Sequence, residues 1–223
     1  MSGKLIVIDG LDGSGKTTQA KRLYDILDRA GKRVKLISFP DYEQPSSVLV
    51  RMYLSGEFSQ NADDINAYAA SSFYAVDRYA SYMKYWRDFY ESDGLVIATR
   101  YVSSNAIHQM GKLPQEEWDS FLSWLSDYEY EKLGLPRPNR ILFLDMPRDA
   151  ADRLIEKRYG GDESKKDIHE KNRKYLEQCE RTAAYAAKKE GWIVIPCAQD
   201  GIPRAQEAIT EEIVRVLNKE LYA

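Results

Sequence analysis

The chain is poor in cysteine, holds no long apolar run and carries almost no net charge. Two cysteines, Cys179 and Cys197, among 223 residues supply neither a disulfide framework nor a metal-ligand spacing. Two reduced thiols in a cytoplasmic protein are expected. The opening MSGKLIVIDG has four apolar residues before Asp9, too few for a secretory core, and no run approaches the length that spans a bilayer. A net charge of −3 gives no basic field for nucleic acid or an anionic membrane. Charged residues at 30% beside hydrophobic ones at 43% fit a folded chain rather than a disordered one. Without a repeat or low-complexity linker to divide it, one domain over residues 1–223 is expected.

Short apolar, β-branched segments recur at Lys4–Asp9, Arg33–Phe39, Gly94–Thr99, Arg140–Asp145 and Trp192–Pro196. They lack clean alternation, as strands covered on both faces do. Helical spacing fills the intervals: Lys16–Ala30, Asn61–Glu91, Gln115–Leu133, Asp167–Glu190 and Arg204–Leu221. In the first, Ala20, Leu23, Ile26, Leu27 and Ala30 form one stripe, stopped by Gly31. This alternation predicts a three-layer α/β fold, a five-stranded parallel sheet with helices on both faces.

The stretch GLDGSGKT, Gly10 to Thr17, follows the first strand and opens the first helix. It fits G-x-x-x-x-G-K-[ST] completely and in context, and it reads as a phosphate cradle. Gly10, Gly13 and Gly15 allow the tight path that turns successive N–H groups inward. Asp12, Ser14, Lys16, Thr17 and Thr18 complete the expected contacts to ATP phosphates, at the positive end of a helix. Lys16 is predicted to reach the β- and γ-phosphates, and Thr17 to offer its hydroxyl to Mg²⁺. There is no guanine-reading N-K-x-D and no long apolar run ending in paired acids, and the chain is short for a motor or transporter module. Phosphoryl transfer to a small acceptor is the reaction these features favour.

Four further pieces stand in order along the chain. Asp12 lies inside the cradle, Phe39-Pro40 follows the second strand, YAVDR spans Tyr74–Arg78 on the long helix, and TRYVSSNAIHQ runs from Thr99 to Gln109. Together, from VIDGLDGSGKTTQ to HEKNRKYL, the sequence resembles the thymidylate kinase family, which phosphorylates dTMP to dTDP with Mg-ATP on a P-loop nucleoside triphosphate hydrolase fold. The resemblance implies that Asp12 points away from the phosphates, towards the acceptor sugar. It implies that Tyr74 stacks on the base, with Phe73 as a competitor, while the Arg78 guanidinium donates to a base carbonyl. Phe39, Pro40 and Tyr42 join the same pocket. Arg100 is expected on the acceptor phosphate, Asn105 and Gln109 facing base or phosphate, and His108 sensing the absence of a 2′-hydroxyl.

The loop KRYGGDESKK, residues 157–166, reads as a lid. Where some members carry an arginine in the cradle, this chain has Gly13. The resemblance therefore implies that a lid arginine neutralises the transferred group: Arg158 first, then Arg153, with Lys165 or Lys166 in support. One residue departs from the pattern. Thr99 stands where the family usually has an aspartate, so Asp9 is the candidate to hold a metal-bound water, and a carboxylate restored at 99 is expected to raise activity. A kinase of shifted acceptor specificity and a nucleotide-binding module with weak turnover are the alternatives. The aromatic excess in 61–91 suits a packed core or a homodimer interface, and the family forms dimers through this region.

Overall fold

A computed structural model describes residues 3–59, 61, 64–159 and 173–222. Five strands, β1 (Lys4–Gly10), β2 (Val34–Ser38), β3 (Leu95–Thr99), β4 (Arg140–Asp145) and β5 (Ile193–Pro196), form one parallel sheet in the order β2-β3-β1-β4-β5. Leu5 to Ile8 and Val96 to Ala98 are entirely buried, which is why these strands read as continuous apolar runs. On one face pack α1 (Lys16–Arg29), α9 (Gln206–Val216) and α10 (Asn218–Tyr222), around Leu23, Leu27, Ile97, Leu142 and Ile213. The other face carries a larger core built on Trp86, Tyr101, Trp118, Phe121 and Trp192. It is covered by α3 (Ala67–Ser81), α5 (Val102–His108), α6 (Trp118–Leu125) and α8 (Arg173–Glu190). The short α2 (Val48–Leu54), α4 (Arg87–Glu91) and α7 (Arg148–Tyr159), with the hairpin β6 (Ala198–Gln199) and β7 (Ile202–Pro203), complete the set. No described helix is long and apolar enough to cross a membrane.

Several element limits differ from the sequence reading for visible reasons. In α1, Ala20, Leu23 and Leu27 face the sheet, whereas Ile26 is 39% exposed and Ala30 lies outside the helix. The long helix begins at Ala67 and not at Asn61, because the Asn66 side chain accepts the Ala69 N–H and closes the N-terminus. It continues through a π-helical turn at Tyr82–Trp86. Most of its aromatic excess is core: Tyr82, Trp86 and Tyr90 are buried and pack edge to face.

The sheet order fixes the site. β1 lies between β3 and β4, so the chain leaves β1 towards α1 while β3 feeds α5 beside it. The pairing of Ile8 with Thr99 sets the cradle next to Arg100 at the carboxyl ends of the strands.

Candidate active site

One cavity of about 660 Å³ runs along these strand ends and joins the two halves of the predicted site. Asp12, Gly13, Gly15, Lys16, Thr17 and Thr18 line one side. Phe39, Pro40, Tyr42, Tyr74, Arg78, Arg100, Asn105, His108 and Gln109 line the other. Gly10 and Ser14 do not face it; Ser14 is buried beneath the loop.

The cradle is a consequence of two left-handed glycines. Gly15 caps α1 with φ 89°, and Gly13 takes φ 78°, values that L side chains adopt only at a cost. At Gly13 space forbids a side chain as well, since a Cβ there would stand 2.9 Å from the Ala151 carbonyl oxygen and 3.1 Å from Ile155 Cγ1. Helix α7 therefore rests directly on the loop. Lys16 lies over it, its ammonium donating to the Gly10 and Leu11 carbonyls at 2.9 and 2.8 Å and 3.8 Å from Asp12. Burial, then the nearby Arg100 guanidinium, lowers the Lys16 pKa from 10.5 to about 8.

That shift has a measurable consequence. A polyphosphate drawn into the cradle favours the charged lysine, so binding recruits a proton wherever the free protein has lost it. Mg-ATP binding is expected to take up close to one proton at about pH 9 and almost none at about pH 7. Calorimetry in buffers of different ionisation enthalpy reads the difference; equal uptake at both pH values contradicts it.

Arg100 follows β3 with φ 62°, a left-handed conformation uncommon for arginine and typical of functional positions. Its guanidinium bonds Asp12 across the cavity and meets His108 Nε2 at 2.8 Å. Desolvation opposes its charge, but Asp12 and then Asp9 raise its pKa further. Because arginine only donates, His108 Nε2 accepts, and its Nδ1–H faces the Tyr175 hydroxyl at 3.2 Å. His108 lines the acceptor side of the cavity, as the sugar-sensing expectation requires, and its ring also steadies Arg100.

Asp9, expected to hold a metal-bound water, does not line the cavity. It is wholly buried and accepts from the Gly10 N–H at 2.9 Å, Ser103 Oγ at 2.6 Å and Ser104 Oγ at 2.8 Å. The carboxylate ties β1 to the first turn of α5 rather than facing the cavity to hold a metal. Among the described residues no group of three or more acidic, histidine or cysteine side chains could bind a metal alone. The exposed Thr17 hydroxyl and the Asp12 carboxylate on the cavity wall are hard oxygen donors suited to a Mg²⁺ that keeps phosphate and water ligands.

At the far end, Tyr74 faces the cavity, while Phe73 turns outward to pack on Phe58 with ring centroids 5.2 Å apart. Of the two aromatic candidates, only Tyr74 lines the site. Arg78 is 1% exposed and forked onto Glu129, with Nε and Nη2 at 2.7 and 2.6 Å from its oxygens; Nη1 reaches the Tyr101 carbonyl at 3.3 Å. Its guanidinium is thus a buried ion pair as well as a cavity wall. Glu129 was not foreseeable from local pattern: it lies in a π-helical turn at Ser126–Lys132, 51 residues from its partner. Tyr175 and Gln206 also line the cavity without a motif to announce them.

Of the lid residues, Lys165 and Lys166 lie outside the described residues, as does the Arg158 side chain. Arg153 donates to the Gly201 carbonyl at 2.7 Å and does not line the cavity.

A family model described as thymidylate kinase matches residues 8–209. The chain belongs to the thymidylate kinase family. The thymidylate kinase of Mycobacterium tuberculosis is 29% identical over 192 residues, covering 84% of this chain and 87% of the relative. A probable thymidylate kinase of Pyrococcus horikoshii is 30% identical over 158 residues, 71% of this chain and 72% of its own. The structure of thymidylate kinase from Candida albicans superposes with a TM-score of 0.73 over 99% of this chain and 94% of that one, at 20% identity, and so shares the fold. Membership in this kinase family fits the cavity, in which a nucleotide-binding cradle opens onto a second, aromatic-walled socket.

Proposed function

We propose that the protein transfers the γ-phosphoryl group of Mg-ATP to dTMP, giving ADP and dTDP. The observation that carries this reading is the continuity of the cradle with the acceptor socket, with Asp12 bonded to Arg100 at the junction. In the transfer, the bond from the γ-phosphorus to the β,γ-bridging oxygen breaks as a dTMP phosphate oxygen bonds to that phosphorus. The attacking oxygen is already anionic, so no general base is required, and positioning with charge neutralisation does the catalysis. Lys16 follows the charge on the β- and γ-phosphates, and the Arg100 fork holds the acceptor phosphate in line. Thr17, with Asp12 beside it, would hold Mg²⁺, which would supply neutralisation of the phosphate oxygens.

Arg158 completes the charge shell in this reading. Its support is the close seat of α7 on Gly13, which leaves no room for a cradle arginine and brings the helix that carries Arg158 against the loop. Arg158→Ala is expected to lower kcat by about tenfold or more with a smaller effect on ATP affinity; unchanged turnover rejects the assignment.

A panel of dTMP, dUMP, dCMP, dGMP and UMP, read by ADP release, tests the acceptor. The Candida albicans relative has broad substrate specificity, so the rank order matters as much as the first hit. Preference for another monophosphate establishes a shifted kinase, and ATP binding without ADP release establishes a binding module. Val76, Tyr79 and Met83, 44%, 39% and 45% exposed along α3 and its π turn, form the apolar stripe through which we infer a homodimer.

A further inference from the structure

Resting on the acceptor reading above, we propose that Glu129 is a positioning residue that sets the hydrogen-bond polarity of the base end of the cavity. It selects a nucleobase that shows an N–H donor beside a carbonyl, the imide edge of thymine or uracil. It works against one that shows a bare ring nitrogen beside an amino group, as cytosine does.

Two acceptors surround the Asn105 amide. Its Nδ2 donates to Glu129 Oε1 at 3.0 Å and to the Ser71 carbonyl at 3.2 Å. A carboxylate and a peptide carbonyl can only accept, so both neighbours demand the NH₂ end of the amide. The carbonyl oxygen of Asn105 is then the end left for the cavity, which Asn105 lines. The same Glu129 holds Arg78 by two charge-assisted bonds, and with the bond to Tyr101 these occupy three of the five guanidinium N–H groups. The remaining donors belong to a group that also lines the cavity. Gln109, four residues after Asn105, adds a buried Oε1 with no hydrogen-bond partner among the described residues.

The base end therefore presents acceptors from Asn105 and Gln109 beside donors from Arg78, and one buried carboxylate orients Arg78 and, with the Ser71 carbonyl, Asn105. An imide edge complements this arrangement. A cytosine would oppose its ring nitrogen to the Asn105 oxygen and its amino group to the arginine, leaving desolvated groups unpaired on each side. Glu129 is fully buried and does not line the cavity, so it acts through the two residues it orients.

Glu129→Gln tests the assignment, because its amide can meet Asn105 with either end, leaving the Ser71 carbonyl alone to demand the NH₂ end, while Arg78 loses the charged partner that orients it. Affinities for dTMP and dCMP by calorimetry, and kcat/KM for both, are compared with the wild type. The preference for dTMP over dCMP is expected to fall by about tenfold or more, through weaker dTMP binding and higher KM, while KM for ATP holds. An unchanged preference in a folded variant overturns the proposal, even when both acceptors weaken together, since equal loss is what a purely structural role produces. Should Glu129→Gln fail to fold, Glu129→Asp keeps the charge opposite Arg78 and withdraws the oxygens by one methylene. The same ratio, read there, is expected to drop at least about threefold, and constancy again overturns the idea. A wild type that does not bind dTMP refutes the acceptor reading itself, which separates the two failures.

Discussion

Lys16→Met is expected to lower kcat/KM by about a thousandfold, equivalent to about 4 kcal/mol of transition-state stabilisation. The ammonium is held at the rim of the cradle by two main-chain carbonyls, at 2.9 and 2.8 Å, so it is already in place when phosphates arrive. Charge that accumulates on the β,γ-bridge during transfer meets a cation in a site with little water to screen it. Methionine keeps most of the length and apolar stem, and it removes a cation whose pKa, lowered to about 8, shows that burial works against it. The sign for stability follows. Below about pH 8 both folded and unfolded Lys16 are charged, and the full cost of the buried charge is present. Between about 8 and 10.5 the unfolded chain binds more protons, and the cost fades as pH rises. Lys16→Met should therefore keep or raise the melting temperature at neutral pH while activity collapses. Activity within tenfold of wild type, in a protein of unchanged melting temperature, excludes the catalytic role.

What could be read in the sequence divides along a physical line. The cradle was legible because its geometry is local: strand, left-handed glycines and helix N-terminus follow one another within Gly10–Thr17. The sheet was legible because doubly covered strands leave apolar runs. Arg100, Asn105 and His108 were placed at the site by the resemblance of the Thr99–Gln109 stretch to the family, yet their partners are ones that no spacing reveals. The Arg78 guanidinium meets Glu129 from a different helix, and two serines of α5 take the carboxylate of Asp9. Buried polar pairs between distant segments are settled by packing, so composition and periodicity carry no trace of them. Tyr74 and Phe73 illustrate the same limit on a smaller scale. Adjacent helical residues differ by about 100° in direction, and only the packing of Phe58 on Phe73 decides which ring is left for the cavity.

Arg100→Lys is expected to reduce kcat/KM for dTMP by about a hundredfold while KM for ATP changes little. The backbone at this position is left-handed, and the substitution neither relieves nor worsens that, so the comparison isolates the head group. A guanidinium can bond Asp12 on one arm and His108 on the other, as it does here, and can exchange these partners for two oxygens of one phosphate. A lysine ammonium offers its charge without the planar fork and orients the acceptor less well for in-line attack. The variant also tests the coupling across the cavity. Arg100 is a cause of the lowered Lys16 pKa, and a shorter, more mobile cation lessens that repulsion. The proton taken up with Mg-ATP at about pH 9 should fall below the wild-type value, because more of Lys16 is charged before the nucleotide arrives. A large loss in dTMP turnover with unaltered proton uptake would assign Arg100 to the acceptor alone. Loss of both together shows that the two nucleotides are sensed through one chain of charges, Lys16, Asp12 and Arg100, laid across the ends of β1 and β3.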